Sequence, residues 1–255
     1  MPLNIPGLLV PFQLVIYPRI ALPHVSIKDI RQLNFRTLKK AGYRGAVFDK
    51  DNCLTIPYQD HLVPEITEVW KECLETFGDG NVIIVSNSAG TYLDAGGIQA
   101  ESVSYHLQVP VLAHKSFKPA YSCISAIRSY FSSLPNPVKD NELIIVGDRI
   151  FTDIVMANRI RNAHLNRSNA LASPSESTNA ANTQSPDGPL AIWTTGVWKK
   201  EAMVMRYLEQ SLVKAVTRWS TGEPFDGARF LKVIPAPEIK KPAKWLPGWN
   251  IFQRS

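Results

Sequence analysis

Three apolar runs, at residues 45–48, 82–85 and 143–147, each end directly on a cluster of polar residues. They consist largely of Val, Ile and other side chains that favour strands. Continuous apolar runs that alternate with helical stretches, such as Ala120–Phe131, indicate a parallel sheet that is buried on both faces. The sequence therefore predicts an α/β fold, a Rossmann-like parallel sheet with helices on both faces.

The polar residues after these runs form a candidate site. In open parallel sheets, ligands bind beyond the carboxyl ends of the strands, where side chains from neighbouring strands meet. A lysine at the start of the helical stretch is expected near the same edge. The candidate residues are Asp49, Asp51, Ser86, Asn87, Lys118, Asp148 and Asp153.

Two of the candidate carboxylates, Asp49 and Asp51, are two residues apart. In an extended chain, side chains at i and i+2 point the same way, so both can converge on one point beyond the strand. Two like charges at close range are unfavourable unless a cation or a shared proton compensates them. The pair therefore indicates a bound metal, or a nucleophilic carboxylate beside an acid/base partner. Taken alone, the same residues also fit a strand followed by an Asp/Asn-rich turn.

The order of the motifs, Asp-x-Asp, Ser-Asn, Lys-Pro and Gly-Asp-x4-Asp, resembles that of the haloacid dehalogenase superfamily of aspartyl-phosphate phosphatases. Each motif alone is weak, whereas four in order, each in its required strand or helix setting, are specific. The sequence segments Phe-Asp-Lys-Asp-Asn-Cys-Leu-Thr and Val-Gly-Asp-Arg-Ile-Phe-Thr-Asp resemble those of the fungal mitochondrial phosphatidylglycerophosphate phosphatases. The similarity spans about residues 20–165. Cys53 departs from the Thr that is usual in the superfamily.

The resemblance implies a role for each candidate residue. Asp49 would attack phosphorus and form an aspartyl-phosphate, and Asp51 would act as the general acid and base. Ser86, Asn87 and Lys118 would bind the phosphoryl oxygens. Mg²⁺ is the implied cofactor. Its implied ligands are Asp49, the backbone carbonyl of Asp51, Asp148 and Asp153.

Asp153 has alternatives to direct metal binding. It could hold a metal-bound water or fix Lys118 in place. Its carboxylate could also serve only the first turn of the helix that follows Thr152.

The spacing of the motifs leaves no room for an inserted cap domain. Asp49 and Ser86 are 37 residues apart, Ser86 and Lys118 are 32 apart, and each interval must already supply a helix, a strand and their loops. A cap that folds on its own needs at least about 50 residues. The resemblance thus implies a capless haloacid dehalogenase core. Its open site favours a macromolecule or a membrane lipid over a small metabolite.

Residues 1–44 account for the net positive charge of the chain. They hold seven Lys and Arg residues and one acid, whereas the remaining residues hold 21 of each sign. The uncharged apolar stretch from Leu8 to Tyr17 is too short to span a bilayer about 30 Å thick. Apolar and aromatic residues followed by cations suit the interface of an anionic membrane. Segment 1–44 is therefore interpreted as a basic membrane-interface anchor, with a core-packing segment or a removable targeting sequence as alternatives.

The remaining chain divides into a phosphatase domain, residues 45–234, and a tail, residues 235–255. Residues 168–189 hold few large apolar side chains and predict a disordered insertion. A short strand is predicted at 190–193 and a helix over 201–219. The apolar residues of that helix repeat at helical spacing, which predicts that they lie in the core. They are Val204, Leu208, Leu212, Ala215 and Trp219.

Two other segments have weaker signals. Ser26–Ala41 predicts a helix capped by Ser26. The Pro-rich tail carries Lys240, Trp245 and Trp249. It fits either a second interfacial patch or a strap packed on the domain.

The resemblance and these features together imply a phosphatidylglycerophosphate phosphatase of cardiolipin biosynthesis, peripheral on the matrix face of the inner mitochondrial membrane. Its expected partners are an anionic phospholipid membrane and a lipid phosphate substrate, and a homo-oligomer is left open. The alternatives are a capless phosphatase for a nucleic-acid end or a soluble phosphomonoester, and a non-catalytic scaffold. Nucleic acid is disfavoured because the cations lie among aliphatic residues, without the interleaved aromatics of a strand-tracking groove.

Overall fold

A five-stranded parallel sheet forms the centre of the protein in the computed structural model, which describes residues 10–171, 188–201, 203–219 and 225–232. The strand order is β1-β5-β4-β2-β3, and each neighbouring pair runs parallel. The strands are β1 (Val25–Ile27), β2 (Gly45–Phe48), β3 (Val82–Ile84), β4 (Leu143–Gly147) and β5 (Leu190–Thr194). The predicted α/β fold with a parallel sheet is confirmed.

Helices cover the sheet on both sides. The α-helices of the described residues are α1 (Val10–Ile16), α2 (Phe35–Lys40), α3 (Thr67–Phe77), α4 (Ile98–Leu107), α5 (Tyr121–Ser132), α6 (Val155–Leu171) and α7 (Met203–Trp219). Helices α2, α3 and α4 pack on one core, whereas α1, α5, α6 and α7 pack on the other. Because successive side chains of a strand point to opposite faces, Ala46 and Phe48 enter the first core and Val47 enters the second.

The register of the strands brings their carboxyl ends to one edge of the sheet. Phe48, the last residue of β2, pairs with Val146 of β4 and with Ile84 of β3. Gly147 of β4 pairs with Trp193 of β5. The loops that follow β2, β3, β4 and β5 therefore leave the sheet side by side.

The predicted helix Ser26–Ala41 is wrong in its first half. Its first residues belong to β1, which pairs with β5. Helix α2 begins only at Phe35, where the Asn34 side chain accepts a hydrogen bond from the backbone N–H of Thr37. The partner strand lies more than 160 residues further along the chain, so the local apolar spacing could not reveal the strand.

The helix predicted over 201–219 is present as α7, but only part of its predicted core face is in the core, where Leu212 packs against the second core. Val204, Leu208 and Trp219 are exposed, and Arg206 and Glu209 are buried in their place. The periodicity identified the helix correctly. In the first half of the helix, Arg206 and Glu209 turn inward to form ion pairs with Asp148 and Arg149, which the apolar pattern does not reveal.

Helix α1 is amphipathic in its packing. Val10 and Leu14 are buried in the second core, whereas Phe12, Val15 and Ile16 are largely exposed. None of the helices in the described ranges combines the length and apolar character that crossing a bilayer requires.

Several predicted segments lie outside the described residues. They are residues 1–9 of the N-terminal segment, residues 172–187 of the predicted insertion, and the whole tail from residue 235.

Candidate active site

Three carboxylates meet at the carboxyl edge of the sheet. Asp49 follows β2, Asp148 follows the neighbouring strand β4, and Asp153 lies in the π-helical turn Ile150–Ile154 that begins α6. One carboxylate oxygen of each residue lies within 4.8 Å of the others, and all three residues are buried. Three of the acids predicted from sequence thus form one cluster.

A close approach of backbone to side chain places Asp153 in this cluster. A Cβ atom added to Gly147 would lie 2.3 Å from Cγ of Asp153, so the turn requires glycine at the end of β4. Asp153 also accepts hydrogen bonds from the backbone N–H of Arg149 and the hydroxyl of Thr152, each at 3.2 Å. The acid is therefore held by its own turn and directed back toward the sheet.

Lys118 lies between two of the acids. Its ammonium nitrogen is 2.5 Å from Oδ1 of Asp49 and 2.7 Å from Oδ1 of Asp153. The Asn87 side chain accepts a hydrogen bond of 2.7 Å from the backbone N–H of Lys118, so the loop after β3 fixes this lysine. Burial by itself would lower the pKa of Lys118, but the Asp153 and Asp49 carboxylates outweigh it and hold that pKa well above its usual range.

Burial disfavours the charged forms of Asp49 and Asp148. Burial raises the pKa of Asp49, and the Lys118 ammonium only partly offsets that rise. Burial, followed by the charges of Asp49 and Asp153, raises the pKa of Asp148 well above its ordinary value. The energetic cost of desolvating like charges is thus concentrated at this cluster.

Asp51 lies apart from the three-acid cluster and has partners of its own. Its Oδ1 is 2.7 Å from the buried ammonium of Lys50 and accepts the backbone N–H of Tyr58 at 3.1 Å. Its Oδ2 accepts the hydroxyl of Ser88 at 3.2 Å, and Ser88 in turn lies 2.9 Å from the Ser86 hydroxyl. These contacts link the loop after β2 to the loop after β3 and hold the Asp51 carboxylate in one orientation.

His114 supports the Ser86 loop from behind. Its Nε2 lies 2.9 Å from the carbonyl oxygen of Ser86, and its Nδ1 lies 2.7 Å from that of Ser116. Burial lowers the pKa of His114, although both carbonyl contacts oppose that shift. The histidine therefore ties the loop after β3 to the loop that carries Lys118.

Helix α7 supplies a cation that sequence reasoning missed. The Arg206 guanidinium pairs with the Asp148 carboxylate and also contacts its backbone carbonyl at 3.4 Å. One turn further along α7, Glu209 accepts hydrogen bonds from Nε of Arg149 and from the backbone N–H of Phe151, both at 3.3 Å. No local motif marks either residue, because Arg206 and Asp148 are 58 positions apart and meet only in the fold.

The residues present fit a hard divalent cation. Asp49, Asp148 and Asp153 offer carboxylate oxygens, the donors that Mg²⁺ and Ca²⁺ prefer. Lys118 and Arg206 provide two positive charges for these three carboxylates. The cluster therefore retains negative charge that a bound cation would compensate.

Comparison with known proteins gives the family of the chain. Residues 5–168 match the family of mitochondrial PGP phosphatases, where PGP is phosphatidylglycerophosphate. The chain belongs to this family. The match covers the three-acid cluster, Asp51, Ser86 and Lys118. It ends before α7, so Arg206 and Glu209 lie outside the segment of this PGP phosphatase that matches the family.

Individual relatives agree with the family. The chain is 41% identical over 141 residues to the chloroplastic phosphatidylglycerophosphate phosphatase 1 of Chlamydomonas reinhardtii, covering 55% of this chain and 50% of the relative. It is 38% identical over 159 residues to the chloroplastic/mitochondrial phosphatidylglycerophosphate phosphatase 1 of Arabidopsis thaliana, covering 62% of this chain and 44% of the relative. The mitochondrial phosphatidylglycerophosphatase GEP4 of Saccharomyces cerevisiae is 31% identical over 156 residues, covering 61% of this chain and 82% of the relative. The chain thus spans about half the length of the two algal and plant relatives, and no solved structure matches it significantly.

Proposed function

We propose that this chain is a phosphatidylglycerophosphate phosphatase, which hydrolyses the lipid phosphomonoester to phosphatidylglycerol and inorganic phosphate. The observation that carries the proposal is the buried cluster of Asp49, Asp148 and Asp153 around Lys118, in a member of the mitochondrial PGP phosphatase family. The names of the relatives support the substrate, and the geometry supports phosphoryl transfer.

Asp49, Asp148 and Asp153 would hold Mg²⁺, with the backbone carbonyl of Asp51 as a further ligand. The bound cation would neutralise the phosphoryl oxygens, which otherwise repel an anionic nucleophile. Mg²⁺ is favoured over transition metals because the available ligands are carboxylates, without the imidazole or thiolate groups that softer metals select.

Asp49 acts as the nucleophile. One of its carboxylate oxygens forms a bond to phosphorus while the bond between phosphorus and the glycerol oxygen of the lipid breaks. Asp51, in its protonated form, donates its proton to the departing alkoxide. The contacts of Asp51 with Tyr58 and Ser88 keep its carboxyl group oriented for this transfer.

The second half of the reaction releases phosphate. Asp51 takes a proton from a water molecule, the water oxygen bonds to phosphorus, and the bond to Asp49 breaks, which regenerates the free carboxylate. Lys118 and Ser86 hold the non-bridging oxygens through both steps. The Asn87 side-chain oxygen keeps Lys118 in place by accepting its backbone N–H. Asp153 contributes by fixing the Lys118 ammonium.

The short intervals between the site motifs support a bulky substrate. Between Asp49 and Ser86 the chain forms α3 and β3, and between Ser86 and Lys118 it forms α4. All residues of both intervals are described, and they hold no inserted cap domain. A phosphate on a membrane lipid can therefore approach the carboxyl edge of the sheet directly, and we place the protein on the matrix face of the inner mitochondrial membrane, with the basic segment 1–44 at the interface.

A substrate panel tests this proposal. The full chain is incubated with phosphatidylglycerophosphate in mixed micelles, a sugar phosphate, a nucleotide monophosphate and a 5′-phosphorylated DNA oligonucleotide, and phosphate release is measured. We expect Mg²⁺-dependent release that is fastest from the lipid. Ca²⁺ should inhibit, because its looser and higher coordination disturbs in-line geometry.

Two results would contradict it. Full activity in excess chelator would exclude the metal-dependent mechanism. A preference for the sugar phosphate, the nucleotide or the DNA end would exclude the lipid assignment.

A further inference from the structure

The first half of helix α7 exposes apolar side chains and buries charged ones. Val204, Tyr207 and Leu208 are 78%, 71% and 53% exposed. The charged Arg206 and Glu209 are buried on the opposite side of the helix, against the loop after β4. Exposed apolar side chains grouped on one face indicate a surface that another body covers.

This face, which we call the α7 outer face (Val204, Tyr207 and Leu208), lies beside the active site. In the loop before α7, the backbone N–H of Lys199 donates to Oδ1 of Asn52 at 3.0 Å, and the indole of Trp198 donates to the Cys53 carbonyl at 3.3 Å. The loop therefore packs directly on the segment that carries Asp49 and Asp51. Arg206 attaches the second turn of α7 to Asp148.

The exposed charges on α7 itself are both positive, those of Lys214 and Arg218. Lys200 precedes the helix, whereas the neighbouring Lys199 is paired with Glu201 at 3.0 Å. The helix has one acid, Glu209, which is fully buried. An exposed apolar face flanked by cations is complementary to an anionic lipid surface, where each basic residue adds about 1 kcal/mol or about a fivefold gain in binding.

Other occupants fit less well. A second copy of the chain would bring the same cations against each other, which is unfavourable. A nucleic acid would require stacking aromatics, whereas this face combines one tyrosine with aliphatic side chains.

We propose that the α7 outer face docks on an anionic lipid bilayer and so holds the active site at the level of the lipid headgroups. This inference rests on the proposed function, because it gives that site a membrane-bound substrate. Helix α7 lies beyond residues 5–168, so the docking is a property of this chain's own C-terminal part and not of the segment that matches the family.

A pair of matched variants tests the docking. Tyr207→Ser removes an exposed ring from the proposed face, and Tyr105→Ser removes a similarly exposed ring, 74% exposed, from α4 on the other side of the sheet. Cosedimentation is measured with vesicles of phosphatidylcholine and phosphatidylglycerol. We expect Tyr207→Ser to weaken binding about tenfold, and Tyr105→Ser to bind like the unmodified chain.

A charge variant supplies a second measurement. Lys214→Gln combined with Arg218→Gln should weaken vesicle binding by about 25-fold at low salt and by less at high salt. Phosphate release from a soluble phosphomonoester and the melting temperature should remain unchanged in all three variants, since none of these side chains contacts the site.

The outcomes separate the docking from the proposed function. Equal vesicle binding by Tyr207→Ser and the unmodified chain would overturn the docking, and so would a dimer by sedimentation velocity that Tyr207→Ser dissociates. Binding that needs Tyr207 in a protein without activity on the lipid would support the docking while contradicting the substrate assignment.

Discussion

Lys118 contacts Asp49 and Asp153 at the same time, and this double contact explains how closely spaced buried acids are tolerated. Removing one partner of a buried ion pair typically destabilises a protein by about 3–5 kcal/mol, because an uncompensated charge remains. The lysine is therefore a structural counter-ion of the site as well as the proposed ligand of the phosphoryl group. Mutations at Lys118 will mix both effects, so the nucleophile is the cleaner position to test.

Asp49→Asn should abolish turnover, with a loss of about a thousandfold or more, because an amide oxygen does not attack phosphorus. The fold should persist, since asparagine has the same shape and can still accept the Lys118 hydrogen bond. Phosphate release and melting temperature are the measurements. Steady-state rates like those of the unmodified chain would disprove the assignment.

Asp51→Asn is the matched comparison for that variant. It should also lose turnover, but through the missing acid and base. With p-nitrophenyl phosphate, whose leaving group needs no proton, the variant should accumulate phosphate on the peptide that contains residue 49. Mass spectrometry of acid-quenched samples should find that peptide in Asp51→Asn and not in Asp49→Asn.

Single residues differ in how far the sequence alone could identify them. Asp49 and Asp148 directly follow apolar strands, and Lys118 lies just before a helix. These local patterns can be read from the sequence without knowing the fold. Arg206 pairs with a residue 58 positions away, so its partner is defined only once the fold has formed. The same holds for the buried Lys50, whose contacts depend on the shape of one loop.

At the level of elements, the edge strand β1 shows where periodicity stops being informative. The central strands are continuous apolar runs, and their prediction was confirmed. β1 has three residues and alternates in burial, so its identity depends on pairing with β5. His24, immediately before β1, strengthens that pairing, because its Nδ1 accepts the backbone N–H of Ala191 at 3.1 Å.

The buried His24 predicts a pH dependence of stability. Burial, assisted by the charge of Arg161, lowers the pKa of His24 to about 3, whereas the unfolded chain has a pKa near 6.5. The neutral ring thus stabilises the fold fully above pH 6.5, and this contribution is lost as the pH falls from 6.5 toward 3. Over the whole window the loss is on the order of 5 kcal/mol.

His24→Asn is the variant for this test, since its side-chain oxygen can accept the same hydrogen bond without titrating in that range. We expect a shallower decline of the free energy of unfolding between pH 6.5 and 4, measured by urea denaturation. Above pH 7.5, the difference between the two proteins should be constant. Parallel curves across the whole acid range would rule out His24 as a source of the decline.

Across the whole molecule, the N-terminal segment shows how composition leaves a membrane-anchoring role and a core-packing role undistinguished. Its charge and apolar stretch predicted a membrane-interface anchor, with core packing as an alternative. The structure places Val10, Leu14 and Ile20 in the second core, and the Asn158 side chain donates to the carbonyl oxygens of Ile20 and Leu22. α1 and α7 pack on this same core, so both exposed apolar faces belong to one helical layer of the sheet.

This packing changes how the anchor must be tested. Removing residues 1–22 deletes several buried side chains, each of which stabilises the fold by about 1.5–3 kcal/mol. Because a typical domain is stable by only about 5–15 kcal/mol, the truncated chain should melt well below the full chain. A loss of lipid hydrolysis in the truncated chain would then report unfolding and not membrane contact.

Replacing only the outward residues avoids that problem. The triple variant Phe12→Ser, Val15→Ser and Ile16→Ser removes exposed apolar surface and leaves Val10 and Leu14 in the core. Its melting temperature should stay within a few degrees of the unmodified chain, because surface substitutions usually change stability by about 0.5 kcal/mol or less. Binding to anionic vesicles and hydrolysis of the lipid should fall by about tenfold or more, while a soluble phosphomonoester is hydrolysed at the original rate. If the folded triple variant hydrolyses the lipid in anionic vesicles at physiological salt as fast as the unmodified chain, α1 is not an anchor and its exposed face needs another explanation.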